Sequence, residues 1–388
     1  MSGEAGIRFS TPEKPRTIEA FRRGVARIVG MLAISGVAVA CGEKGIEPHA
    51  NAMIPNDQAE ALVIQPTEPE IQINGEVSIM PHIADPAVLK LEDGSFVFSG
   101  TKESDTDVLP LYRSDNLVDY TKIDEYNPSL LDPENDYCRL WAPDIAAMGN
   151  DKYQMFFTAR QIGEGQDCED SGNGQAIFLA QADDETMNFG PPQAVRIGAN
   201  APHTFVPKHC PPSGCENALR IDPEIAIAKN GHRWMFYNWF AGGGNRISSV
   251  NIDDPSQRNT VAIPTNGEGN INEAPEIFQR NGKFYMLYSH NFFDKDYGMK
   301  YISSDTIAGL SRANEPAYEI ASATRGENGL LESNIGHPAV VENDGKYYLF
   351  YHKGSFDENG KMNDRSTYMQ EIKFDGDSIL PLDHVNRR

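Results

Sequence analysis

The chain has 388 residues, enough for one large β domain or two ordinary domains. A hydrophobic fraction of 39% is compatible with a globular core, and the 23% of charged residues is ordinary. The formal net charge of −22 argues against nucleic acids and anionic membrane surfaces as partners, whereas a neutral substrate would be indifferent to it.

The first 40 residues have the pattern of an export signal. Three arginines between positions 22 and 27 precede an uncharged stretch that ends in small residues just before Cys41. This stretch is shorter than the roughly 20 apolar residues of a membrane-spanning helix, so we predict a signal peptide over residues 1–40. A cysteine after small residues is similar to the bacterial lipoprotein box, and we expect Cys41 to be lipidated. Ordinary cleavage with an incidental Cys41, and secretion, is the alternative.

Residues 41–75 contain four prolines and few aromatic side chains, which predicts a flexible tether. A single folded domain is expected over residues 76–388. Cleavage before Cys41 leaves four cysteines, and an even number in an exported chain indicates two disulfides. Four cysteines allow three pairings; the most local one joins Cys138 to Cys168 and Cys210 to Cys215.

One short phrase occurs five times along this domain. A strand opened by proline is followed by a turn and then by an aromatic-rich strand. The prolines are Pro86, Pro143, Pro223, Pro275 and Pro338, spaced 57, 80, 52 and 63 residues apart. Short strands punctuated by glycine, asparagine and aspartate predict an all-β fold. The spacing favours a five-bladed β-propeller over a β-sandwich, because a sandwich would not repeat one phrase so regularly.

The starts of five inner strands would converge at one end of the propeller axis. The residues before the five prolines are Asp85, Ala142, Asp222, Ala274 and His337, and Glu273 precedes Ala274. Taken singly, an aspartate before proline is a common turn residue. Several ionisable residues at equivalent positions instead indicate an assembled site, and two carboxylates in different environments can act as general acid and general base. Glycoside hydrolysis is the reaction that most often uses such a pair.

These residues resemble glycoside hydrolase family 43, five-bladed propeller hydrolases of arabinan, arabinoxylan and related glycans. The matching motifs run from about residue 80 to 382; they are His82–Pro86, Trp141–Ile145, Ile221–Glu224, Asn272–Pro275 and Gly336–Pro338.

The resemblance implies that Asp85 is the general base, that Asp222 tunes the pKa of the acid, and that Glu273 is the general acid. Strict strand alternation would turn Glu273 away from the face that carries Asp222, so its placement needs an irregular strand entry. Glu224 and Glu276 are the local rivals for the acid. With Asp144, they each follow a proline and are interpreted as structural.

His337 has three interpretations: a buried histidine near the axis, a substrate contact, or a metal ligand. The resemblance implies a calcium ion at the propeller axis as an option, although no cofactor is required for the reaction. Trp141 and Trp239 are candidate platforms for sugar rings, and a core position is the alternative for Trp239.

The function expected from this pattern is an inverting glycoside hydrolase, anchored to the cell envelope or secreted. The expected activities are α-L-arabinofuranosidase, arabinanase or β-xylosidase, on a neutral oligo- or polysaccharide. We expect a monomer, no nucleic-acid partner, and membrane association only through the lipid. The alternatives are a non-catalytic glycan-binding propeller, a propeller hydrolase of another glycan such as fructan, and a structural lipoprotein, which would leave the carboxylates unexplained.

Overall fold

The computed structural model describes the positions 75–162, 168, 175–195, 219–241, 244–254, 258–260, 271–310, 317–327 and 329–382. The predicted signal peptide, Cys41, nearly all of the tether and the Cys210–Cys215 pair lie outside these residues. The chain is built mainly of β-strands, as predicted. Among the described residues, no helix is long and apolar enough to cross a membrane. The described part of the chain contains two one-turn helices, α1 (Pro128–Leu131) and α2 (Ile307–Leu310).

Five antiparallel sheets form the blades, and strands are numbered in chain order. The first strand, β1 (Val77–Met80), belongs to the last sheet. Blade 1 contains β2 (Ile83–Lys90), β3 (Phe96–Lys102), β4 (Leu109–Ser114) and β5 (Thr121–Tyr126). Blade 2 contains β6 (Asp136–Gly149), β7 (Lys152–Ile162), β8 (Ala176–Ala182) and β9 (Gln193–Ala194).

Blade 3 contains β10 (Leu219–Ile227), β11 (Arg233–Ala241), β12 (Gly244–Asn251) and β13 (Arg258–Thr260). Blade 4 contains β14 (Asn272–Arg280), β15 (Lys283–His290), β16 (Gly298–Ser304) and β17 (Tyr318–Ala321). Blade 5 contains β18 (Thr324–Arg325), β19 (Leu331–Asn343), β20 (Lys346–Phe356) and β21 (Met362–Ile372). A separate hairpin pairs β22 (Phe374–Asp375) with β23 (Ser378–Ile379).

The ring is closed by the N-terminal strand of the domain. Strand β1 pairs with β21 and completes blade 5, so strands from both ends of the domain share one sheet. The inner strands β2, β6, β10, β14 and β19 each contact their two neighbours in a closed circle. This places the five proline-containing strand starts around one axis, as the repeated phrase predicts.

Apolar side chains fill the spaces between neighbouring blades. Each of five hydrophobic clusters is shared by two adjacent blades. Phe157 and Phe236, for example, are fully buried on the central strands of blades 2 and 3. Burying an aromatic side chain contributes about 1.5–3 kcal/mol, so the interblade packing is a main source of stability. The predicted disulfide between Cys138 and Cys168 is present and ties the start of β6 to the segment after β7.

Candidate active site

Each inner strand has the same irregularity at its proline. The pairing register shifts at this point in all five blades, as it does in a β-bulge. The residue before the proline has a positive φ in every case: Asp85 (47°), Ala142 (45°), Asp222 (55°), Ala274 (52°) and His337 (55°). A bulge interrupts the alternation of side chains between the two faces. Glu273 can lie beside Asp222 only if its strand begins irregularly, and this bulge is that irregularity.

A second ring of side chains supports these bulges. It consists of the residue that pairs with the position two before each proline: Thr101, Thr158, Asn238, Ser289 and His352. The backbone N–H groups of Ala142, Asp222 and His337 donate to Thr101, Thr158 and Ser289 of the preceding blade, at 2.7–3.1 Å. The backbone nitrogen of Asp85 lies 3.3 Å from Nδ1 of His352 in the same way.

Blade 4 departs from this pattern. The N–H of Ala274 donates to Oδ2 of Asp222 at 3.1 Å instead of to Asn238. The amide of Asn238 is fully buried and has no hydrogen-bond partner among the described residues. The exception therefore attaches the Asp222 carboxylate directly to the backbone beside Glu273.

Asp85 lies in a buried cluster of cationic and imidazole groups. Its Oδ1 atom is 2.9 Å from Nη1 of Arg365, 3.2 Å from Nδ1 of His337 and 3.1 Å from Nδ1 of His352. Burial favours the neutral carboxyl, but the charges of Arg365 and His337 and the hydrogen bonds of His337 and His352 outweigh it, so the pKa of Asp85 is well below its usual value. All these contacts reach Oδ1, which leaves Oδ2 as the oxygen that can accept a proton from water.

The pKa values of the two histidines beside Asp85 are shifted in opposite directions. Burial lowers the pKa of His337, but the nearby charge of Asp85 and its hydrogen bond outweigh burial and raise the pKa above its usual value. Burial, and next the charge of Arg365, lower the pKa of His352 to about 4, so His352 is neutral. Arg365 is itself held by Glu103, which lies 2.6 Å from Nη2. The base candidate is thus fixed in position and ionised.

Glu273 has the opposite electrostatic environment. Burial, and next the charge of Asp222, raise its pKa to about 8, so it is largely protonated at neutral pH. Its Oε1 atom accepts a hydrogen bond of 2.9 Å from the hydroxyl of Tyr297, which leaves Oε2 to carry the proton. Burial is also the main cause that raises the pKa of Asp222, to about 6. Near pH 7 the site therefore combines an ionised Asp85, a mostly ionised Asp222 and a protonated Glu273.

A separate group of carboxyls comes from the residues that directly follow three of the prolines: Asp144, Glu224 and Glu276. Each accepts a hydrogen bond from a backbone N–H of the next inner strand, at Ile225, Ile277 and Val340, over 2.9–3.2 Å. Their carboxyls line an axial cavity of about 260 Å³, whose lining also includes Asp222 and His337. These bonds join neighbouring blades, which agrees with the structural role interpreted from the sequence.

The two tryptophan candidates have different surroundings. Trp141 is partly buried, and it occupies in blade 2 the position that Glu273 occupies in blade 4. Trp239 packs against the hydrophobic cluster between blades 2 and 3, and its Nε1 atom is enclosed. The role of Trp239 as a sugar platform stays a prediction, one that this packing does not favour.

Two places could be considered for a metal ion. The ligand atoms of Asp85, His337 and His352 lie within 4.8 Å of one another, but Arg365 places a permanent positive charge 2.9 Å from Oδ1 of Asp85. This group does not fit a cation. The axial cavity suits calcium better, because oxygen atoms are its preferred ligands and carboxyls line the cavity together with His337.

Arg365, His352 and Tyr297 were not among the residues singled out from the sequence. His352 had a usable signal, because the supporting ring follows each proline by 14 or 15 residues. Arg365 on β21 and Tyr297 before β16 carry no such repeat. They reach the site only because strand pairing within blades 4 and 5 places the third strand of each blade beside it.

The comparison with known families agrees with this geometry. The model of Glycosyl hydrolases family 43 matches residues 79–380, nearly the whole described domain. The chain is 25% identical over 169 residues to the beta-D-galactofuranosidase xynD of Aspergillus niger, which is 42% of this chain and 46% of that protein. It is 27% identical over 182 residues to the extracellular endo-alpha-(1->5)-L-arabinanase 1 of Bacillus subtilis, 44% of this chain and 47% of the relative. Each match thus spans somewhat less than half of the curated relative.

Solved structures share the fold. A thermostable family-43 glycoside hydrolase superposes with a TM-score of 0.56 at 19% identity, covering 77% of this chain and 92% of that chain. The alpha-L-arabinofuranosidase of Lactobacillus brevis gives a TM-score of 0.56 at 16% identity, over 79% and 94% of the two chains. At these identities the likeness supports the architecture alone.

Proposed function

Because the chain belongs to glycosyl hydrolases family 43, we propose that it is an inverting glycoside hydrolase that uses Asp85 as general base and Glu273 as general acid. The observation that carries the proposal is the opposite protonation of the two carboxyls. The pKa of Asp85 lies well below its usual value, whereas that of Glu273 is about 8. Over a broad pH range around neutrality, one carboxyl can accept a proton while the other can donate one.

The proposed reaction is a single displacement. Oδ2 of Asp85 takes a proton from a water molecule as that water attacks the anomeric carbon of the sugar. Oε2 of Glu273 gives its proton to the glycosidic oxygen as the bond to the anomeric carbon breaks. Attack on the face opposite the leaving group inverts the anomeric configuration.

Asp222 contributes in two ways. Its negative charge raises the pKa of Glu273, which keeps the acid protonated before the reaction. Its hydrogen bond to the N–H of Ala274 holds this charge beside the acid. Arg365 and His337 fix the orientation of Asp85 through Oδ1 and keep it ionised.

We propose a neutral arabinan- or arabinoxylan-type glycan as substrate, with α-L-arabinofuranosidase, arabinanase or β-xylosidase activity. The endo-arabinanase relative supports an arabinose-containing substrate. The galactofuranosidase relative makes galactofuranosides a second class to screen, since both names denote furanoside-cleaving enzymes. A binding propeller without turnover is the competing function, but binding alone requires neither a raised pKa at Glu273 nor a lowered one at Asp85.

No cofactor enters the proposed reaction. If the protein binds calcium, the axial cavity is the place that fits it. There His337 and the carboxyls that line the cavity would hold the ion, and its charge would order the side chains around the propeller axis. We also propose, from the sequence pattern, that Cys41 anchors an exported protein to the cell envelope and that the domain acts as a monomer.

Kinetics with two leaving groups test the proposed function. An acid catalyst matters most when the leaving group is a basic alkoxide, and least when it is an activated nitrophenolate. We expect Glu273→Gln to lower turnover of an oligosaccharide on the order of 10² to 10⁴-fold and that of the nitrophenyl glycoside far less. Glu276→Gln is the matched control on the same strand, where glutamine can still accept the hydrogen bond from Val340.

The control variant should change both substrates equally. A selective loss in Glu276→Gln with none in Glu273→Gln would move the acid three residues along the strand. Wild-type protein that binds oligosaccharides but cleaves neither class of substrate would favour the binding propeller.

A further inference from the structure

An exposed aromatic pair lies at the end of the propeller where the inner strands begin. Strand β14 starts at this end, β15 returns to it, and the connection 291–297 then leads into β16. Phe292 and Phe293 in this connection are 41% and 45% exposed. A single exposed apolar residue would be unremarkable, but two adjacent rings beside a site are an uncommon arrangement.

The backbone of this connection is held from several directions. The buried amide of Asn334 donates through Nδ2 to the carbonyl of Phe293 and accepts through Oδ1 from the N–H of Gly354 at 2.8 Å. The N–H of Asn291 donates to the carbonyl of Ile271 at 2.8 Å. Phe293 is therefore presented on a backbone that is fixed to blade 5 before any ligand arrives, so little ordering is needed on binding.

The ring of Phe293 contacts Arg365, the arginine that binds Asp85. The guanidinium carbon of Arg365 lies 5.7 Å from the centre of this ring, and Nη1 of the same arginine is 2.9 Å from Oδ1 of Asp85. At the other end of the connection, Tyr297 donates to Glu273. One short segment thus supports the acid and presents an aromatic face next to the partner of the base.

We infer that Phe293 is a sugar-binding platform that stacks on a ring of the substrate adjoining the sugar whose bond is cleaved. The inference rests on the proposed function and adds a second sugar site to it. An aromatic face packs against the C–H face of a sugar, and the exposed carboxylate of the next residue, Asp294, can accept hydrogen bonds from its hydroxyls. A neutral glycan is not repelled by the net charge of −22.

The test compares a substrate with two or more sugars and a substrate with one. The first is the oligosaccharide that the wild-type protein cleaves best; the second is the fluoride of its terminal sugar, which offers no second ring. Phe293→Leu keeps an apolar side chain but removes the aromatic face, and Phe293→Tyr keeps that face. Tyr318→Leu is the control, because Tyr318 is 52% exposed on β17, the outermost strand of the same blade.

We expect Phe293→Leu to lower kcat/KM for the oligosaccharide about tenfold, mainly through KM, and to leave the glycosyl fluoride within about twofold. Phe293→Tyr and Tyr318→Leu should match the wild type on both substrates. Equal losses on both substrates, or no loss on the oligosaccharide, would overturn the inference.

A direct binding measurement separates this outcome from failure of the proposed function. If the wild type cleaves no substrate, the proposed function fails, and calorimetric titration with the oligosaccharides that were screened as substrates still tests the platform. About tenfold weaker binding to Phe293→Leu than to the wild type would support the platform without catalysis. Equal binding by both would reject it.

Discussion

The hydrogen bond from Tyr297 to Glu273 gives a quantitative prediction about pH dependence. The hydroxyl donates to Oε1 of Glu273 at 2.9 Å, and it favours the ionised form of the acid. Replacing Tyr297 by phenylalanine removes this bond. The ring itself can stay, stacked on His352 with 5.7 Å between centres and packed against Gly336, where even a Cβ atom would clash with it.

The magnitude follows from the strength of a hydrogen bond to a charged group, about 1.5–3 kcal/mol. The hydroxyl also binds the neutral acid, so only part of this energy distinguishes the two protonation states. A difference of about 1.4 kcal/mol corresponds to about one pKa unit. The sign is upward, because the ionised form loses its donor. The other groups that act on Glu273, namely Asp222, His337 and Asp85, are unchanged by the substitution.

The assay is the pH profile of kcat/KM, whose basic limb reports the ionisation of the acid in the free enzyme. The wild-type limb is expected near pH 8, the value to which burial and Asp222 raise the pKa of Glu273. In Tyr297→Phe it should move up by about one pH unit. The matched control is Tyr285→Phe, which removes a 2.9 Å hydrogen bond from another buried tyrosine of the same blade to the carbonyl of Asp377. A basic limb that stays in place or moves down in Tyr297→Phe, or that moves equally in Tyr285→Phe, would refute the reasoning.

Two further predictions concern the base and the membrane anchor. Asp85→Ala should still show the thermal unfolding transition of a folded domain, but its turnover should fall on the order of 10² to 10⁴-fold. NMR of the first sugar released by the wild type should show the inverted anomer. A retained anomer would mean that a carboxylate acts as nucleophile. Cys41→Ser should move the protein from the membrane to the soluble fraction of expressing cells, and equal solubility of the wild type and the variant would exclude the lipid anchor.

The architecture was predictable because its signal is repeated. Five copies of a strand, a turn and an aromatic strand, led by prolines such as Pro86 and Pro143, specify equivalent inner strands. The closure by β1 was not predicted, because its partner β21 lies nearly 300 residues further along the chain, beyond any local pattern. The Cys138–Cys168 disulfide was identified as part of the most local pairing, and the structure contains it.

The candidate site was only partly predictable for a related reason. Asp85, Asp222 and His337 share a position relative to proline, so the repeat itself brings them together. Arg365 and Tyr297 reach them from third strands or the connections before them, where side-chain placement depends on the pairing of whole sheets. A single arginine or tyrosine in such a segment has no local feature that distinguishes a site residue from an ordinary one.

Glu273 shows how tertiary structure overrides the local rule. A residue before proline normally adopts an extended conformation, and positive φ is uncommon for alanine. From these preferences Ala274 should continue a regular strand and turn Glu273 away from Asp222. Instead Ala274 has a φ of 52°, and its N–H is held by the Asp222 carboxylate of the neighbouring blade. The strained backbone and the charge that raises the pKa of Glu273 are therefore joined by one hydrogen bond. Asp222, which we propose tunes the acid, thus also contributes to placing Glu273.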